Sequence, residues 1–450
     1  MDTSGNIFSE KVRRSSVEPL RYPNHKRVLV YSLLGAGICT LLALALTYRY
    51  PIAAVARPEQ ASFSPEAIEK GATLARIGDC STCHTADGGG PFAGGRPLAT
   101  PFGTLFSTNI TPDEGTGIGS WSPAAFRRAM RSGVSRDGKH LYPALPYEHF
   151  IHATDADLDA LYAFFMTRRA IATTQPVNRL YPPLGFRPLL AGWKMLFLHG
   201  GIWQPRNDRS AEWNRGAYLV EGFAHCGACH TPRNIAGGEI PAHAYGGGWA
   251  EGWYAPPING QNPAARDWTI DSLYTYLHTG VDMNHAAAAG PMGPVTYNLA
   301  HAPASDVHAI AVYVVSLMGK MENAGLNAAP LTEHPDAAAR DHVIGATLFA
   351  GACSGCHGPG APMMTQGRPL LSQGSAVQEA EPRDVVQIIL HGLKSPTGGS
   401  GPYMPAFADS FTDSQIAEIA GYLRSRYTDH PAWPKLREAV AEAREEGGQP

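Results

Sequence analysis

The sequence predicts a mainly α-helical protein, built from three repeated modules behind one N-terminal apolar helix. Three observations in this chain of 450 residues lead to that prediction. The pattern Cys-x-x-Cys-His occurs three times at wide spacing. Segments with helical periodicity precede and follow each copy. A long uncharged apolar run comes before the first copy, and its length is typical of a helix that enters a membrane.

The apolar run, VLVYSLLGAGICTLLALALT at residues 28–47, is close to the roughly 20 residues needed to cross a bilayer. Basic residues precede it, so the positive-inside rule predicts a cytoplasmic tail at 1–27 and a transmembrane anchor at 28–48. The expected location is the inner (cytoplasmic) membrane, single-pass, with the remaining chain in the periplasm. A cleaved signal peptide is the alternative, because Ala54-Val55-Ala56 resembles a cleavage site.

The Cys-x-x-Cys-His pattern is typical of c-type haem attachment, in which two thiols bind the macrocycle and the histidine becomes an axial iron ligand. Three covalently bound haem c groups are therefore expected. The motif residues are Cys80, Cys83 and His84; Cys226, Cys229 and His230; and Cys353, Cys356 and His357. Zinc is the alternative, but it needs four ligands that converge on one metal, whereas these cysteine pairs lie far apart in the sequence.

The segments around the motifs repeat as well. A Gly-Ala pair precedes each motif, at Gly71, Gly216 and Gly345. Candidate N-caps of a closing helix follow each motif, at Thr154, Ser305 and Thr412. Small residues in the first helix predict a close crossing with the closing helix. A first helix that crosses a last helix over a haem is the arrangement of class I cytochrome c domains.

The predicted fold class is thus mainly α, with three tandem class I cytochrome c domains behind one N-terminal transmembrane helix. The domains are expected at 62–172, 210–321 and 338–430. The linker at 173–209 is rich in proline and aromatic residues, which is compatible with membrane contact, partner contact or packing between domains. Residues 431–450 carry alternating charges and are predicted to form a polar tail, either a solvated helix or a frayed end.

Each haem iron needs a second axial ligand from the opposite face. Met404 is predicted for the third haem and Met292 for the second, because both lie in proline-containing loops before a closing helix. The alternatives are His391, Met363 and Met364 for the third haem, and Met283 for the second.

The first module departs from this pattern, because Leu145 stands where a methionine ligand is expected and leucine cannot bind iron. His149 is the nearest donor before the closing helix and is the predicted ligand. A pair of histidine ligands would lower the potential of this haem relative to a histidine–methionine pair. The alternatives are Met130, His140, Met166 or an open iron.

Taken together, these residues resemble the three-haem cytochrome c subunits of exported, membrane-bound dehydrogenases, which oxidise alcohols, aldehydes or sugar acids and reduce ubiquinone. The resemblance is carried by Thr100-Pro-Phe-Gly103, Thr108-Asn-Ile-Thr-Pro-Asp113, Leu141-Tyr-Pro-Ala144, Thr231-Pro-Arg-Asn234 and Met404-Pro-Ala-Phe407. Pro146-Tyr-Glu-His-Phe150 is more similar to subunits of molybdenum and iron–sulfur aldehyde or N-heterocycle dehydrogenases. In those subunits the family pattern implies His149 as the distal ligand.

The resemblance implies an electron-transfer subunit of an aldehyde dehydrogenase, with a molybdopterin subunit and an iron–sulfur subunit as partners and ubiquinone as acceptor. A quinoprotein alcohol dehydrogenase or a flavin gluconate dehydrogenase is the alternative partner. The sequence has no recognisable substrate-oxidising site of its own. A peroxidase-like haem enzyme with an open first iron, an oxidase-linked donor and a free electron shuttle are further alternatives. The net charge of −3 and the lack of a basic patch argue against nucleic-acid binding.

Overall fold

The structure, a computed structural model, describes residues 25–319, 331, 333–361, 369–393 and 404–447. The side chains of several residues of the first helix, Cys39 among them, lie outside the described part. Most of the predicted tail at 1–27 lies outside it too, as do Met363 and Met364. The chain divides into one unit of Met1–Tyr48 and a second of Arg49–Pro450.

Helices form most of the regular structure in the described residues. They are α1 (His25–Thr47), α2 (Pro65–Ile77), α3 (Cys80–His84), α4 (Pro123–Ser132), α5 (Tyr147–Phe150), α6 (Asp155–Met166), α7 (Leu189–Phe197), α8 (Ala211–Tyr218), α9 (Gly227–His230), α10 (Ile270–Thr279), α11 (Met292–Leu299), α12 (Ala304–Leu317), α13 (Pro335–Asp341), α14 (Val343–Ala352), α15 (Ser354–His357), α16 (Ser375–Gln378), α17 (Arg383–His391), α18 (Asp413–Tyr427) and α19 (Leu436–Gly447). Short 3₁₀ turns lie at Gln60–Ser62 and Pro241–His243, and a π-helical turn at Leu219–Phe223 continues α8.

Helix α1 of the first unit contains the apolar run. Its described apolar side chains are exposed, for example Leu29 at 61% and Leu33 at 64%. Among the described residues, no helix combines the length and the apolar character needed to cross a membrane. The transmembrane anchor at 28–48 is therefore not shown by the structure and stays a prediction.

In the second unit, each Cys-x-x-Cys-His motif follows a helix that packs against a later helix. The pairs are α2 with α6, α8 with α12, and α14 with α18. One core cluster contains the first two pairs, and a second cluster contains the third pair together with α17 and α19. The mainly α prediction is confirmed, and this arrangement agrees with the predicted crossing of a first helix over a last helix.

The three crossings are made in the same way, through the predicted glycines. A Cβ atom added to Gly71 would overlap the backbone carbonyl of Ala160 and the side chain of Phe164. Gly216 meets Ala309 and Tyr313 of α12 in the same way, and Gly345 meets Glu418 and Tyr422 of α18. Each glycine thus faces a carbonyl and, four residues later, an aromatic residue. The two backbones come so close that only hydrogen fits between them.

The helix ends follow the predicted caps in two modules. The Thr154 side chain accepts a hydrogen bond from the Asp157 amide, and Thr412 forms a full capping box with Gln415. Ser305 is not the N-cap of α12, because the helix starts earlier. Pro303 is the cap residue, and its carbonyl accepts from the Val307 amide at 3.2 Å.

The β-structure consists of short antiparallel ladders on the loops between helices. The strands are β1 (Pro97–Thr100), β2 (Gly103–Phe106), β3 (Arg179–Leu180), β4 (Gly248–Ala250), β5 (Trp253–Ala255), β6 (Val281–Asp282) and β7 (Ala286–Ala287). Strand β2 lies between β1 and β3, with Leu98 opposite Leu105 and Gly103 opposite Leu180. Strand β3 lies within the predicted linker 173–209, so the start of that linker is part of the first module.

The tail predicted at 431–450 contains helix α19 over Leu436–Gly447, most of whose polar residues are exposed, but one side of this helix is buried, which the sequence analysis did not predict. Helix α19 packs against α17 and α18, and Val440 and Ala443 are fully buried in the third-module core. The Arg444 guanidinium fixes the helix by donating to Asp413 at 2.8 Å and to the Phe411 carbonyl at 2.9 Å.

The crossing in the third module gives a testable prediction. Gly345→Ala is expected to lower the free energy of unfolding by about 1–3 kcal/mol, because the added methyl group overlaps α18. Chemical denaturation followed by circular dichroism measures this change.

The control lies in the same helix. Gly351 has nothing within 4 Å of an added Cβ atom, so Gly351→Ala should be neutral or stabilise α14 by about 0.5–1 kcal/mol. Equal destabilisation by both substitutions would contradict the steric explanation.

Candidate haem-binding sites

The first motif forms the short helix α3, Cys80–His84. Asp79, immediately before it, has left-handed backbone geometry with φ of 47°, which separates α3 from α2. Aspartate is one of the few non-glycine residues that adopt this region readily. The Asp79 carboxylate also accepts a hydrogen bond from Thr82 at 2.5 Å. Cys80, Cys83 and His84 come within one and a half turns of helix, so the two thiols and the imidazole lie close together.

The ring of His84 is oriented by a backbone carbonyl. Its Nδ1 donates to the Thr108 carbonyl at 2.6 Å, which leaves Nε2 available as an iron ligand. Burial lowers the pKa of His84, although the Thr108 hydrogen bond acts in the opposite direction, so the neutral form that binds metal is favoured. A histidine that binds a metal usually makes such a second hydrogen bond through its other ring nitrogen.

The Thr108 carbonyl is in turn held by Asn109, from the Thr108–Asp113 segment that the sequence singled out. Asn109 is 3% exposed, and its amide donates to the Ile171 carbonyl at 2.7 Å. Its side-chain oxygen accepts from the backbone amide and the hydroxyl of Thr111. These hydrogen bonds hold the loop that supplies the acceptor for His84.

The second motif repeats this geometry. His225, just before Cys226, has φ of 38°, and the motif helix α9 follows. His230 Nδ1 donates to the Pro256 carbonyl at 2.7 Å, which again leaves Nε2 free for a metal. Burial lowers the pKa of His230, with the Pro256 bond opposing it.

The third motif forms α15 after Cys353, and burial lowers the pKa of His357. The neighbouring residues 362–368 lie outside the described part of the structure. For this motif the described residues therefore give the motif turn, without the loop that follows it.

The six motif cysteines fit covalent haem attachment. None of them forms a disulfide. Burial raises the pKa of the Cys80 and Cys226 thiols to about 12, so the unmodified thiols are neutral. Within the described residues, no group of three or more His, Cys, Asp or Glu side chains is arranged to hold a metal ion. The zinc alternative thus finds no ligand set in that part of the chain.

Of the two predicted methionine ligands, Met404 lies outside the helices as expected, whereas the loop predicted around Met292 is wrong because helix α11 already begins at that residue. Met292 is the first residue of α11, is partly buried and packs against the larger core cluster. Met404 forms a backbone bridge with Leu393, is partly buried and packs against the third-module cluster. Their binding to iron stays a prediction.

His149 has a different environment from the one that an iron ligand needs. Its Nδ1 donates to the Glu221 carbonyl at 3.0 Å, and its Nε2 lies 2.9 Å from a Glu239 carboxylate oxygen. Its ring also lies against Gly227, inside the second motif. Burial disfavours a charge on the ring, but the hydrogen bond and charge of Glu239 outweigh burial and raise the pKa of His149. Both ring nitrogens are thus bonded to the second module, and binding to the first haem would require the Glu239 bond to open.

Sequence reasoning missed the residues that hold the modules together. Arg96 of the first module bonds Glu251, in the β4–β5 turn of the second, at 2.8 Å. The His225 ring, just before the second motif, lies with its Nε2 atom 3.3 Å from the Gly78 carbonyl, just before the first motif, so the first two motifs are neighbours. No local pattern marks Arg96 or Glu251 as a pair, because they lie far apart in the sequence.

The same hairpin contacts the third module. The Tyr254 amide donates to Asp384 at 2.9 Å, and Gln387 donates to the Gly252 carbonyl at 3.0 Å. The second module therefore touches both of the others.

Comparison with protein families gives two matches. The family described as cytochrome c matches residues 68–169. The family described as cytochrome c oxidase, cbb3-type, subunit III matches residues 341–423. These matches fall on the helix pairs that contain the first and third motifs.

Whole-chain relatives are more specific. One subunit of nicotinate dehydrogenase from Pseudomonas putida is 46% identical over 92% of this chain, but the match spans only 35% of that protein. The gluconate 2-dehydrogenase cytochrome c subunit of Pantoea cypripedii is 37% identical over 80% of this chain and 85% of that protein. The cytochrome c subunit of alcohol dehydrogenase (quinone) from Gluconacetobacter polyoxogenes is 36% identical over 80% of both chains. The chain belongs to the cytochrome c subunits of dehydrogenases.

Membership of this family confirms the resemblance found in the sequence, the electron-transfer role and covalently bound haem c. In this cytochrome c subunit, the Thr108 and Pro256 carbonyls orient the proximal histidines of the first two motifs.

The ligand of the first haem gives the next prediction. His149→Ala is expected to remove a bis-histidine signal from the electron paramagnetic resonance spectrum, because the variant lacks the second imidazole. Glu239→Gln is the matched control, since it weakens the competing hydrogen bond but keeps the imidazole, and it should retain the signal. An unchanged spectrum in His149→Ala would rule out His149, and carbon monoxide binding to one wild-type haem would favour the open iron.

Proposed function

We propose that this chain carries electrons from an exported aldehyde dehydrogenase, of the molybdenum and iron–sulfur type, through three haem c groups to ubiquinone. Haem iron supplies one-electron chemistry when it is bound. The protein holds the proximal imidazoles and sets the spacing of the modules. The observation that carries the proposal is the repeated motif turn with an oriented proximal histidine, found at both His84 and His230.

The count of three haems is supported by the third motif. Cys353, Cys356 and His357 occupy the same place after α14 that the first motif occupies after α2. The glycine crossing is also repeated in this module, at Gly345. A helix pair of the same design therefore accompanies each attachment site.

A relay through the second module is supported by its contacts. The Arg96–Glu251 ion pair joins it to the first module, and the Tyr254–Asp384 and Gly252–Gln387 hydrogen bonds join it to the third. Electron transfer between redox centres needs short distances, and a middle module in contact with both others provides a continuous path.

The identity of the partner rests on sequence likeness. The Pro146–Phe150 segment is similar to subunits of molybdenum and iron–sulfur dehydrogenases, and one relative is named for a dehydrogenase of nicotinate, an N-heterocycle. The alternatives are a quinoprotein alcohol dehydrogenase and a flavin gluconate dehydrogenase. Metal and cofactor analysis of the co-purified complex distinguishes these three types of partner dehydrogenase.

Location at the periplasmic face of the inner membrane is part of the proposal. The uncharged run at 28–47 with basic residues before it supports a single-pass anchor with its N-terminus in the cytoplasm. Such an anchor keeps the haem domains close to lipid-soluble ubiquinone. N-terminal sequencing of membrane-extracted protein tests it, and a mature start near Arg57 would contradict it.

The haem count gives a prediction that does not depend on the partner. Intact-mass measurement of the purified chain is expected to show three haem increments. Cys226→Ala combined with Cys229→Ala should reduce the count to two, because both thioether positions of one motif are lost. A chain that keeps its full haem count in this variant would contradict covalent attachment at the second motif.

The electron-transfer role is tested with the complete complex. Removal of this subunit is expected to abolish ubiquinone reduction while the catalytic subunits still reduce an artificial dye with their substrate. Molybdenum and non-haem iron should be present in that catalytic fraction. Undiminished ubiquinone reduction without this chain would overturn the proposal.

A further inference from the structure

Helix α11 lies between the first two modules. It belongs to the second module, where it follows the β6–β7 hairpin and packs against α10. It also packs against α2 of the first module, the helix that leads into the first motif. Its first residue is Met292, the predicted distal ligand of the second haem. One short helix thus contacts both modules and carries the predicted ligand of one haem.

The other end of α11 is bonded to the start of the first motif. The Asn298 amide donates to the carboxylate of Asp79, the left-handed residue directly before Cys80. The same carboxylate oxygen accepts from the Thr82 hydroxyl, inside the motif turn, at 2.5 Å. Asp79 therefore joins α11 to the turn that attaches the first haem.

The charge of Asp79 strengthens both hydrogen bonds. Burial raises the pKa of this carboxyl group to about 6, although the hydrogen bonds from Thr82 and Asn298 act in the opposite direction. The carboxylate is therefore mainly ionised above pH 7. Hydrogen bonds to an ionised acceptor are shorter and stronger than those between neutral groups.

A second contact joins the two modules next to Asp79. The His225 ring, directly before the second motif, has its Nε2 atom 3.3 Å from the Gly78 carbonyl. Gly78 is itself closely packed on the second module, because an added Cβ atom would lie 3.3 Å from the Phe223 carbonyl. The bond between Asp79 and Asn298 is thus part of a wider contact between the residues that precede the two motifs.

The shortness of α11 connects its two ends. Asn298 lies six residues after Met292, about 9 Å along the helix axis at a rise of about 1.5 Å per residue. A helix of this length moves as a unit, so the loss of a contact at one end allows it to tilt and displaces the other end. A ligand has to be held within about 0.5 Å of its productive position.

From this arrangement we propose that Asp79 is a positioning residue for the second haem: through Asn298 it fixes α11, and with it Met292, from the attachment turn of the first haem. The inference rests on the proposed three-haem function and goes beyond it, because it gives a residue of the first module a role in the ligand geometry of the second haem. The first two haem sites then depend on each other.

The test measures the near-infrared methionine-to-iron band and the three midpoint potentials of the purified full-length chain at pH 8. Met292→Ala first identifies the contribution of the second haem, because it removes the thioether. Asn298→Ala is expected to weaken the same part of the band and to lower the same potential, because a thioether ligand raises the potential. Asp79→Ala should affect the second haem in the same way. The double substitution of Asp79 and Asn298 by alanine should have no larger effect, because both single substitutions remove one shared bond.

Two control variants distinguish this role from a general loss of structure. Asp79→Asn keeps an oxygen that accepts both hydrogen bonds, so it should retain the methionine band. His301→Ala removes an exposed side chain just after α11 that bonds the Tyr297 carbonyl of the same helix, and it should leave the band and the potentials unchanged. Circular dichroism and intact mass establish that each variant is folded and carries its haems.

Three results would overturn the inference and leave the proposed function intact. They are an unchanged band and unchanged potentials in Asn298→Ala, a wild-type band in Met292→Ala, and loss of the band in Asp79→Asn to the same extent as in Asp79→Ala, which would assign the effect to charge. A wild-type chain that lacks the first or the second haem would overturn both the inference and the proposed haem count.

Discussion

The contact between two backbones in each module determines where the rest of the module lies. Gly71, Gly216 and Gly345 allow the first helix to touch the carbonyls of the closing helix, which no side chain could accommodate. In each module the Cys-x-x-Cys-His motif begins less than three helical turns after the glycine. The crossing therefore fixes the position of the motif turn relative to the closing helix. An aromatic residue of the closing helix then packs beside the crossing, as Phe164, Tyr313 and Tyr422 do. The repeated fold thus depends on a missing Cβ atom at three positions.

A second constraint acts on the imidazoles. A histidine that binds iron through Nε2 needs a partner for Nδ1, and a backbone carbonyl is a fixed acceptor. Thr108 supplies it in the first module because the buried Asn109 side chain holds the loop through bonds to Thr111 and Ile171. Pro256 supplies it in the second because it directly follows strand β5. Two different loops therefore provide the same hydrogen bond to Nδ1 of the proximal histidine.

Local sequence patterns predicted the features that depend on neighbouring residues. The motif turns, the glycine crossings and the caps at Thr154 and Thr412 belong to this class, since each needs only a few residues at a defined spacing. The packing of helix α19 could have been predicted as well. Its buried side recurs at Leu436, Val440 and Ala443, a helical stripe that the alternating charges obscured. The start of α12 differs from the prediction by two residues, because serine is the stronger N-cap signal in the sequence but Pro303 is the N-cap residue in the structure.

Contacts between modules could not be predicted in this way, and they decide the environment of His149. Its place in the chain matches that of Met292 and Met404 in the repeat, which is why the sequence favours it as a ligand. Packing of the second module brings Glu221 and Glu239 to its two nitrogens, and neither residue belongs to a motif that marks it as a partner.

The β4–β5 hairpin shows how such packing links the sites. Its turn, Glu251–Gly252, has two left-handed residues, the geometry of a tight two-residue hairpin. Glu251 pairs with Arg96 of the first module, while the Gly252 carbonyl and the Tyr254 amide bond the third. Two residues after Tyr254, the Pro256 carbonyl orients His230. Because one short ladder carries all these bonds, a shift of either outer module must move the carbonyl that holds the second proximal imidazole.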